Sequence, residues 1–431
     1  MKPYLDMTKE ELLAEKVKVE AEYKGFEEAN LSLNMARGKP SPEQLDLSLE
    51  MLNIITPEDY LKAENGADCR NYGELDGIPE AKRLVAELMG CRPDMVCVCG
   101  NASLSIMYDN VSRSVTHGIM GNTPWKDLKE EVKFLCPVPG YDRHFAICES
   151  LGIKMINIPM TPDGPNMDMV EDYVSKDPYV KGIWCVPKYS NPQGYSYSDE
   201  TVRRFANLNP AARDFRIYWD NAYFVHSLYE DYDKKDHILN IFDECEKIGT
   251  EDMVFEFCST SKVTFAGAGI AAMAASDNNI KDWVKWMGFR TIGFDKLNQL
   301  RHVRFIKDKQ GLIEHMRKHA AILRPKFELC DKKLSEGVRP LKIGDYIMPN
   351  GGYFISFEAL PGTARRIVKL AKDAGVVLTA AGAPFPYKKD PKDSVIRLAP
   401  SFPSLAELDK AMDVFMCCVK LAAIEKLLTR F

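Results

Sequence analysis

The chain has 431 residues, 45% hydrophobic and 28% charged, with 57 Lys and Arg against 62 Asp and Glu for a net charge of -5. That length holds two or three domains with ample core, and the acidic balance argues against nucleic acid or an anionic membrane surface as partner. No run of about 18 apolar residues offers a transmembrane helix, and the opening MKPYLDMTKEELLAEK lacks the apolar centre of a signal peptide, so a cytoplasmic protein is expected. The 12 cysteines fall in strand-like apolar runs or side by side late in the chain, as buried thiols of a reducing compartment would. No zinc-ligand spacing occurs, and His315 with His319, four apart on an expected helix, reads as a solvated face without metal.

The first element is an amphipathic helix over about residues 9 to 28. Thr8 and Glu11 have capping-box spacing, and Leu12, Leu13 and Val17 supply its apolar side. LSLNMARGKPSPEQLDLS then turns irregular, with Arg37 and Gly38 placing a cation on a flexible loop. NYGELDG leads into a helix from Pro79. From there to about residue 275 strands and helices alternate, with strands expected at Met95–Cys99, Val132–Cys136, Lys154–Ile158, Ile183–Val186, Ile217–Trp219 and Val254–Cys258. Near-continuous apolar strands between helices indicate an α/β fold, a mainly parallel sheet covered on both faces.

The residues just after each strand carry the functional signal. Gly100, Asn101, Ala102 and Ser103 open a helix whose free N–H groups suit a phosphate, though an ordinary helix cap reads the same way. PVPGYDRHF exposes Tyr141 in a turn, and PKYSNPQG presents Asn191. Asp220 ends an aromatic strand, where a buried carboxylate needs a partner. VFEFCSTSKVTFAGAGI places Ser259, Ser261 and Lys262 at the next strand end, followed by a small-residue loop; alone this fits a surface lysine in a polar turn equally well. Together the five ends offer a phosphate cradle, an aromatic plate, an amide, a carboxylate and an amine. Pyridoxal 5'-phosphate, a phosphorylated basic aromatic aldehyde, would use all five.

Beyond about residue 310 the character changes. KIGDYIMPNGGYFISFEAL reads as a strand pair around a Gly turn, VIRLAPSF as another strand, and a last helix begins after Ser404 with Glu407 completing its capping box. Its buried stripe is expected at Leu408, Met412, Phe415 and Val419. A large domain over 46–310 and a small α+β domain from 1–45 with 311–431 are the expected division.

The motifs ARGKP, NYGELDG, GNAS, PGYDRHF, SNPQG, DNAY, STSK and IRLAPSFP occur in the order found in pyridoxal-phosphate aminotransferases of fold type I. The chain resembles the class I family, and within it the divergent aspartate aminotransferase branch. The resemblance implies a mainly parallel seven-stranded sheet, a homodimer with sites at the interface, and transfer of an amino group from L-aspartate to 2-oxoglutarate by a ping-pong route. It implies Lys262 as the lysine bonded to the cofactor, Asp220 on the ring nitrogen, Asn191 and Tyr223 on the ring hydroxyl, and Tyr141 stacked on the ring. Asn101, Ala102, Ser103, Ser259 and Ser261 would surround the phosphate, with Tyr72 reaching that of the neighbouring subunit. Arg397 would bind the substrate's alpha-carboxylate, with Gly38, Arg37 and Asn191 beside it.

One departure stands out. Many family members carry a phosphate-binding arginine eight positions after the lysine, where this chain has Ile270. Arg37, Arg301 and Arg304 are the candidates for that charge and for the cation that would read a substrate side chain. Another transaminase or a beta-lyase of the same fold would fit the motifs too. A non-catalytic effector domain normally comes after a DNA-binding domain, and only about 30 residues precede ARGKP here.

Overall fold

The computed structural model describes residues 2–229 and 236–431. Helix α1 (Lys9–Glu28) starts with the expected capping box: Glu11 N–H donates to Thr8 Oγ1, and Thr8 N–H to Glu11 Oε2. Its buried side is Leu12, Val19 and Tyr23, however, and Leu13 and Val17 are exposed. The helix packs on the last helix, Leu405–Leu428, and that partner selects which side is covered.

After β1 (Leu33–Asn34), α2 (Pro42–Asp46) and α3 (Pro79–Met89) comes the main sheet. It consists of β2 (Val96–Val98), β3 (Lys133–Val138), β4 (Lys154–Thr161), β5 (Gly164–Pro165), β6 (Val180–Cys185), β7 (Arg216–Asp220), β8 (Val254–Ser259) and β9 (Ala271–Ala275), in the spatial order β2-β9-β8-β7-β6-β3-β4-β5. Seven principal strands are thus joined by a two-residue edge strand. The run from β8 through β7, β6 and β3 to β4 is parallel, and β9 is antiparallel to both its neighbours.

Alternate residues divide between the two faces, as the period of two requires. Leu135, Ile183, Ile217, Trp219 and Val254 join one core, while Phe134, Trp184, Tyr218, Phe255 and Phe257 join the other. Helices α4 (Ser103–Thr116), α5 (Asp142–Ser150), α6 (Met167–Lys176) and α7 (Asp199–Ala206) come after β2, β3, β5 and β6 in the chain.

Strand β9 lies where the sequence reading has only a small-residue loop after Lys262. Its sequence, AAMAA, has poor strand propensity. It is a strand because β2 and β8 satisfy its backbone from both sides, and all five residues are buried. Pairing outweighs intrinsic preference here.

A third core gathers Leu12, Val19 and Tyr23 with Leu323, Phe327, Ile355, Phe357, Leu408, Met412, Phe415 and Val419. It includes the antiparallel sheet β10 (Gly344–Ile347), β11 (Ile355–Ala359) and β13 (Val395–Leu398), while β12 (Val376–Val377) pairs with β1. The last helix begins with the Ser404–Glu407 capping box. Helix Lys309–Gly337 buries His315 and His319 almost completely, which corrects the expected solvated face. They serve as packed polar groups, because α2 and the Lys262 segment cover that side. All 12 cysteines are unpaired, and no helix among the described residues is long and apolar enough to cross a membrane.

Candidate active site

Strands β2, β3, β6, β7 and β8 all run in one direction, so their carboxyl ends lie along a single edge of the sheet. Such an edge is where open α/β sheets bind ligands. The topology therefore brings together residues that are far apart in the chain.

Asp220, the last residue of β7, is 2% exposed. Its Oδ2 accepts from His144 Nε2 at 2.9 Å. Its Oδ1 is buried with no hydrogen-bond partner among the described residues. His144 is held in turn by a stack on Trp184, with centroids 4.5 Å apart and planes at 11°. Tyr141, the N-cap of α5, contacts the edge of His144 at 4.9 Å.

Lys262 leaves the turn after β8 with its Nζ 4.8 Å from the Tyr223 ring and 6.0 Å from the Tyr353 ring. The residue as a whole is partly buried. Burial lowers its pKa below the usual lysine value, opposed by the attraction of Asp220. Burial likewise pushes Tyr141 up to about 12 and raises Tyr223, with the charge of Asp220 adding to both. The mutual influence of Asp220, Lys262, Tyr141 and Tyr223 marks one site.

Arg397 on β13 meets that site from the other sheet. Its Nη1 donates to Asp142 Oδ1 at 3.0 Å and to Asn191 Oδ1 at 3.1 Å, and its guanidinium lies 4.6 Å from the Phe354 ring. Gly38 packs on the same ring so closely that a Cβ there would stand 2.5 Å from it. Gly38, Phe354 and Arg397 thus form a layer in which only glycine fits the loop position.

Around the expected phosphate position, Ser259 Oγ donates to Ser261 Oγ at 3.0 Å, and Asn101 Nδ2 approaches the Gly267 carbonyl at 3.4 Å. Ala102 is the N-cap of α4 and Ser103 its first residue. At Ile270, the place of the missing arginine, the backbone N–H donates to Thr260 Oγ1. Arg304 is committed elsewhere, to Asp59 at 3.2 Å and the Tyr60 carbonyl at 2.8 Å. Arg301 makes no ion pair among the described residues, and its buried Nε has no partner there. Arg37 is exposed, as is Tyr72, at 80%.

The model of the aspartate aminotransferase family matches residues 7–430. The chain belongs to that family. It is 44% identical over 401 residues to an aspartate aminotransferase of Corynebacterium glutamicum, covering 92% of this chain and 90% of that protein. A crystal structure of an aspartate transaminase from the same organism superposes with a TM-score of 0.95 at 41% identity, over 99% of both chains. An alpha-aminoadipate aminotransferase from Thermus thermophilus, solved with a phosphopyridoxyl-leucine adduct, has the same fold at 19% identity and a TM-score of 0.73, covering 99% of this chain and 97% of that one. The protein is therefore an aminotransferase of fold type I, the class whose fold implies pyridoxal 5'-phosphate.

Several residues of this aminotransferase's site escaped the sequence reading. His144 and Asp142 sit inside the motif PGYDRHF, and the one-turn spacing from Tyr141 to His144 is a signal that could have singled out the histidine. Tyr353 and Phe354 lie about 90 residues from Lys262, and nothing local in GGYF indicates that one ring faces the lysine and the other Arg397.

Proposed function

We propose that this aminotransferase uses pyridoxal 5'-phosphate to move the amino group of L-aspartate to 2-oxoglutarate by a ping-pong route. The observation that carries the reading is the amine of Lys262, set 4.8 Å from the Tyr223 ring and under the influence of Asp220 at the carboxyl edge of the sheet. The orphaned Asp220 Oδ1 fits the cofactor, because a buried carboxylate oxygen without a donor is matched by a protonated ring nitrogen. The aspartate aminotransferase of Corynebacterium glutamicum supports the choice of amino donor.

When bound, the cofactor supplies a conjugated sink for the electron pair left as the substrate's alpha carbon loses its proton. Asp220 holds the proton on the ring nitrogen, and His144 fixes the carboxylate that does so. Lys262 takes the alpha proton as a base and returns it as an acid; a lowered pKa favours the free amine that the first step needs. Tyr223 and Asn191 would donate to the ring hydroxyl, and Tyr141 would cover the ring. Asn101, Ala102 and Ser103 at the start of α4, where helix N–H groups favour an anion, would hold the phosphate together with Ser259 and Ser261 from the end of β8. Arg304 is already paired, which leaves Arg301, with its unpartnered Nε, and Arg37 as the candidates for the added cation.

Arg397 binds the substrate's alpha-carboxylate with its planar fork and so orients the bond to be broken. Residues 46–310 act as the cofactor domain. Residues 1–45 with 311–431 act as the part that carries Gly38, Arg37 and Arg397 over the substrate. A second copy brings Tyr72 to the phosphate.

The test is the visible spectrum of the purified protein during addition of L-aspartate and then 2-oxoglutarate. Conversion to the absorbance of the aminated cofactor and return with the oxo acid is expected. A lysine-bound cofactor that aspartate leaves unchanged would remove the aspartate assignment, and no cofactor absorbance at all would remove the role of Lys262.

A further inference from the structure

Beneath the Lys262 peptide lies a buried group of three histidines that the proposed chemistry does not use. His226, three residues after Tyr223, places Nε2 3.4 Å from the Lys262 carbonyl oxygen. His315 and His319 lie one turn apart on helix Lys309–Gly337. His315 Nε2 is 2.7 Å from the Val263 carbonyl oxygen and 3.1 Å from His319 Nε2. On the far side, His319 Nδ1 is 3.0 Å from Gln44 Nε2, which also donates to the Tyr353 hydroxyl at 2.9 Å. Gln44 is fully buried on α2, and its Oε1 accepts the Ser41 N–H in that helix's capping box.

The protons of this chain do not fit one arrangement. A carbonyl only accepts, so the contact to Val263 calls for a proton on His315 Nε2. The Ser41 bond turns the Gln44 NH2 toward His319, so His319 Nδ1 accepts and a neutral His319 carries its proton on Nε2. Two N–H groups would then face each other across 3.1 Å. Burial keeps both rings neutral, pushing His319 down to about 3 with help from its neighbour's charge, so an added proton does not resolve the conflict.

Two settings remain. In one, His319 carries the proton between the rings, within reach of both His315 and the Val263 carbonyl, the α2 cap is intact and His315 gives Val263 no proton. In the other, His315 donates to Val263, His319 is protonated on Nδ1, and the Gln44 amide turns over and releases Ser41. Ser48 Oγ, 3.4 Å from His315 Nε2, serves either, because a hydroxyl both donates and accepts.

Ser41 lies three residues after Gly38, and Gly38 presses on Phe354, the neighbour of Tyr353. We propose that His315 and His319 are positioning residues that, through Gln44, set the Lys262–Val263 peptide according to the state of the loop carrying Arg37 and Gly38. The substrate side and the lysine side are thereby coupled without direct contact. This inference rests on the functional reading above. The titratable groups around Lys262 are Asp220, Tyr223, His226 and Tyr353, and those acting on the pair include Glu50 and Lys318.

The experiment tracks the pH midpoint of the visible absorbance of the lysine-bound cofactor in the holoenzyme, with and without succinate, an unreactive dicarboxylate. The wild type is expected to shift its midpoint when succinate binds. His319→Phe, which keeps a ring but no nitrogens, is expected to lose at least half of that shift while binding succinate within about twofold of wild type. Its kcat should fall roughly three- to tenfold, with KM changed less than about twofold. Should His319→Phe fail to fold, Gln44→Met cuts the same link and is read the same way. A wild type that binds succinate without a shift, or a folded variant with the full shift and unchanged kcat, overturns the proposal, whereas a wild type that does not bind succinate overturns the dicarboxylate reading on which it rests. A wild type with no lysine-bound cofactor sinks the functional reading as well.

Discussion

Replacing His144 by phenylalanine removes one hydrogen bond and little else. The stack on Trp184 at 4.5 Å survives in an aromatic ring of similar size, whereas the 2.9 Å bond to Asp220 Oδ2 is lost. Because Asp220 Oδ1 has no partner, the variant leaves both oxygens of a buried carboxylate without a side-chain donor among the described residues. A hydrogen bond to a charged group contributes about 1.5–3 kcal/mol. At about 1.4 kcal/mol per tenfold, full transmission to the step proposed for Lys262 lowers kcat roughly ten- to a hundredfold. KM for the amino acid should stay within about twofold, because Arg397 is held independently by Asp142 and Asn191. Steady-state transamination of L-aspartate measures both constants, and circular dichroism checks the fold. A folded variant with wild-type kcat, or one whose loss lies wholly in KM, would refute the assignment of His144 as the support of Asp220.

Asp142 occupies the arginine that a substrate carboxylate is to meet, so Asp142→Asn is expected to lower KM for the amino acid about tenfold, about 1.4 kcal/mol; a higher KM would mean that Asp142 orients Arg397 instead. Burial raises Glu256 to about 8, so the folded chain holds a proton that the unfolded chain releases above the ordinary carboxyl range. That proton is retained at a growing cost as pH rises toward about 8, and Glu256→Gln should raise the melting temperature more at about pH 8.5 than at about pH 5. Equal gains at both values would contradict the raised pKa. Tyr72→Phe should leave the fold intact and weaken cofactor retention several-fold on dialysis, since the exposed hydroxyl is assigned to a neighbouring subunit's phosphate; unchanged retention would remove it from the site.

The parts of the site that were legible were those written in a few consecutive residues. Asp220 closes an aromatic strand and Lys262 comes after the next, so a local reading of strand ends reaches both candidates. His144 lies within a recognisable motif yet carries no local sign of its role, because its partner Asp220 is 76 residues away. The pairing of Arg397 with Asp142 spans 255 residues and could not be read from either segment. Polar residues at helical spacing usually lie on a solvated face, as expected of His315 and His319, and only the packing of α2 and the Lys262 turn puts them inside.

Sequence alone determined the alternation of strands and helices, the capped ends of α1 and the last helix, and the order in which chemical groups meet the sheet edge. These depend on side-chain periodicity and on hydrogen bonds between near neighbours, which local residue types specify. Tertiary structure decided that AAMAA is a strand, which side of α1 is buried, and which arginine is already paired. It also decided which histidines stand beneath the lysine. Each of those outcomes depends on a partner distant in the chain, and local propensity differs by too little free energy between the alternatives to choose among them.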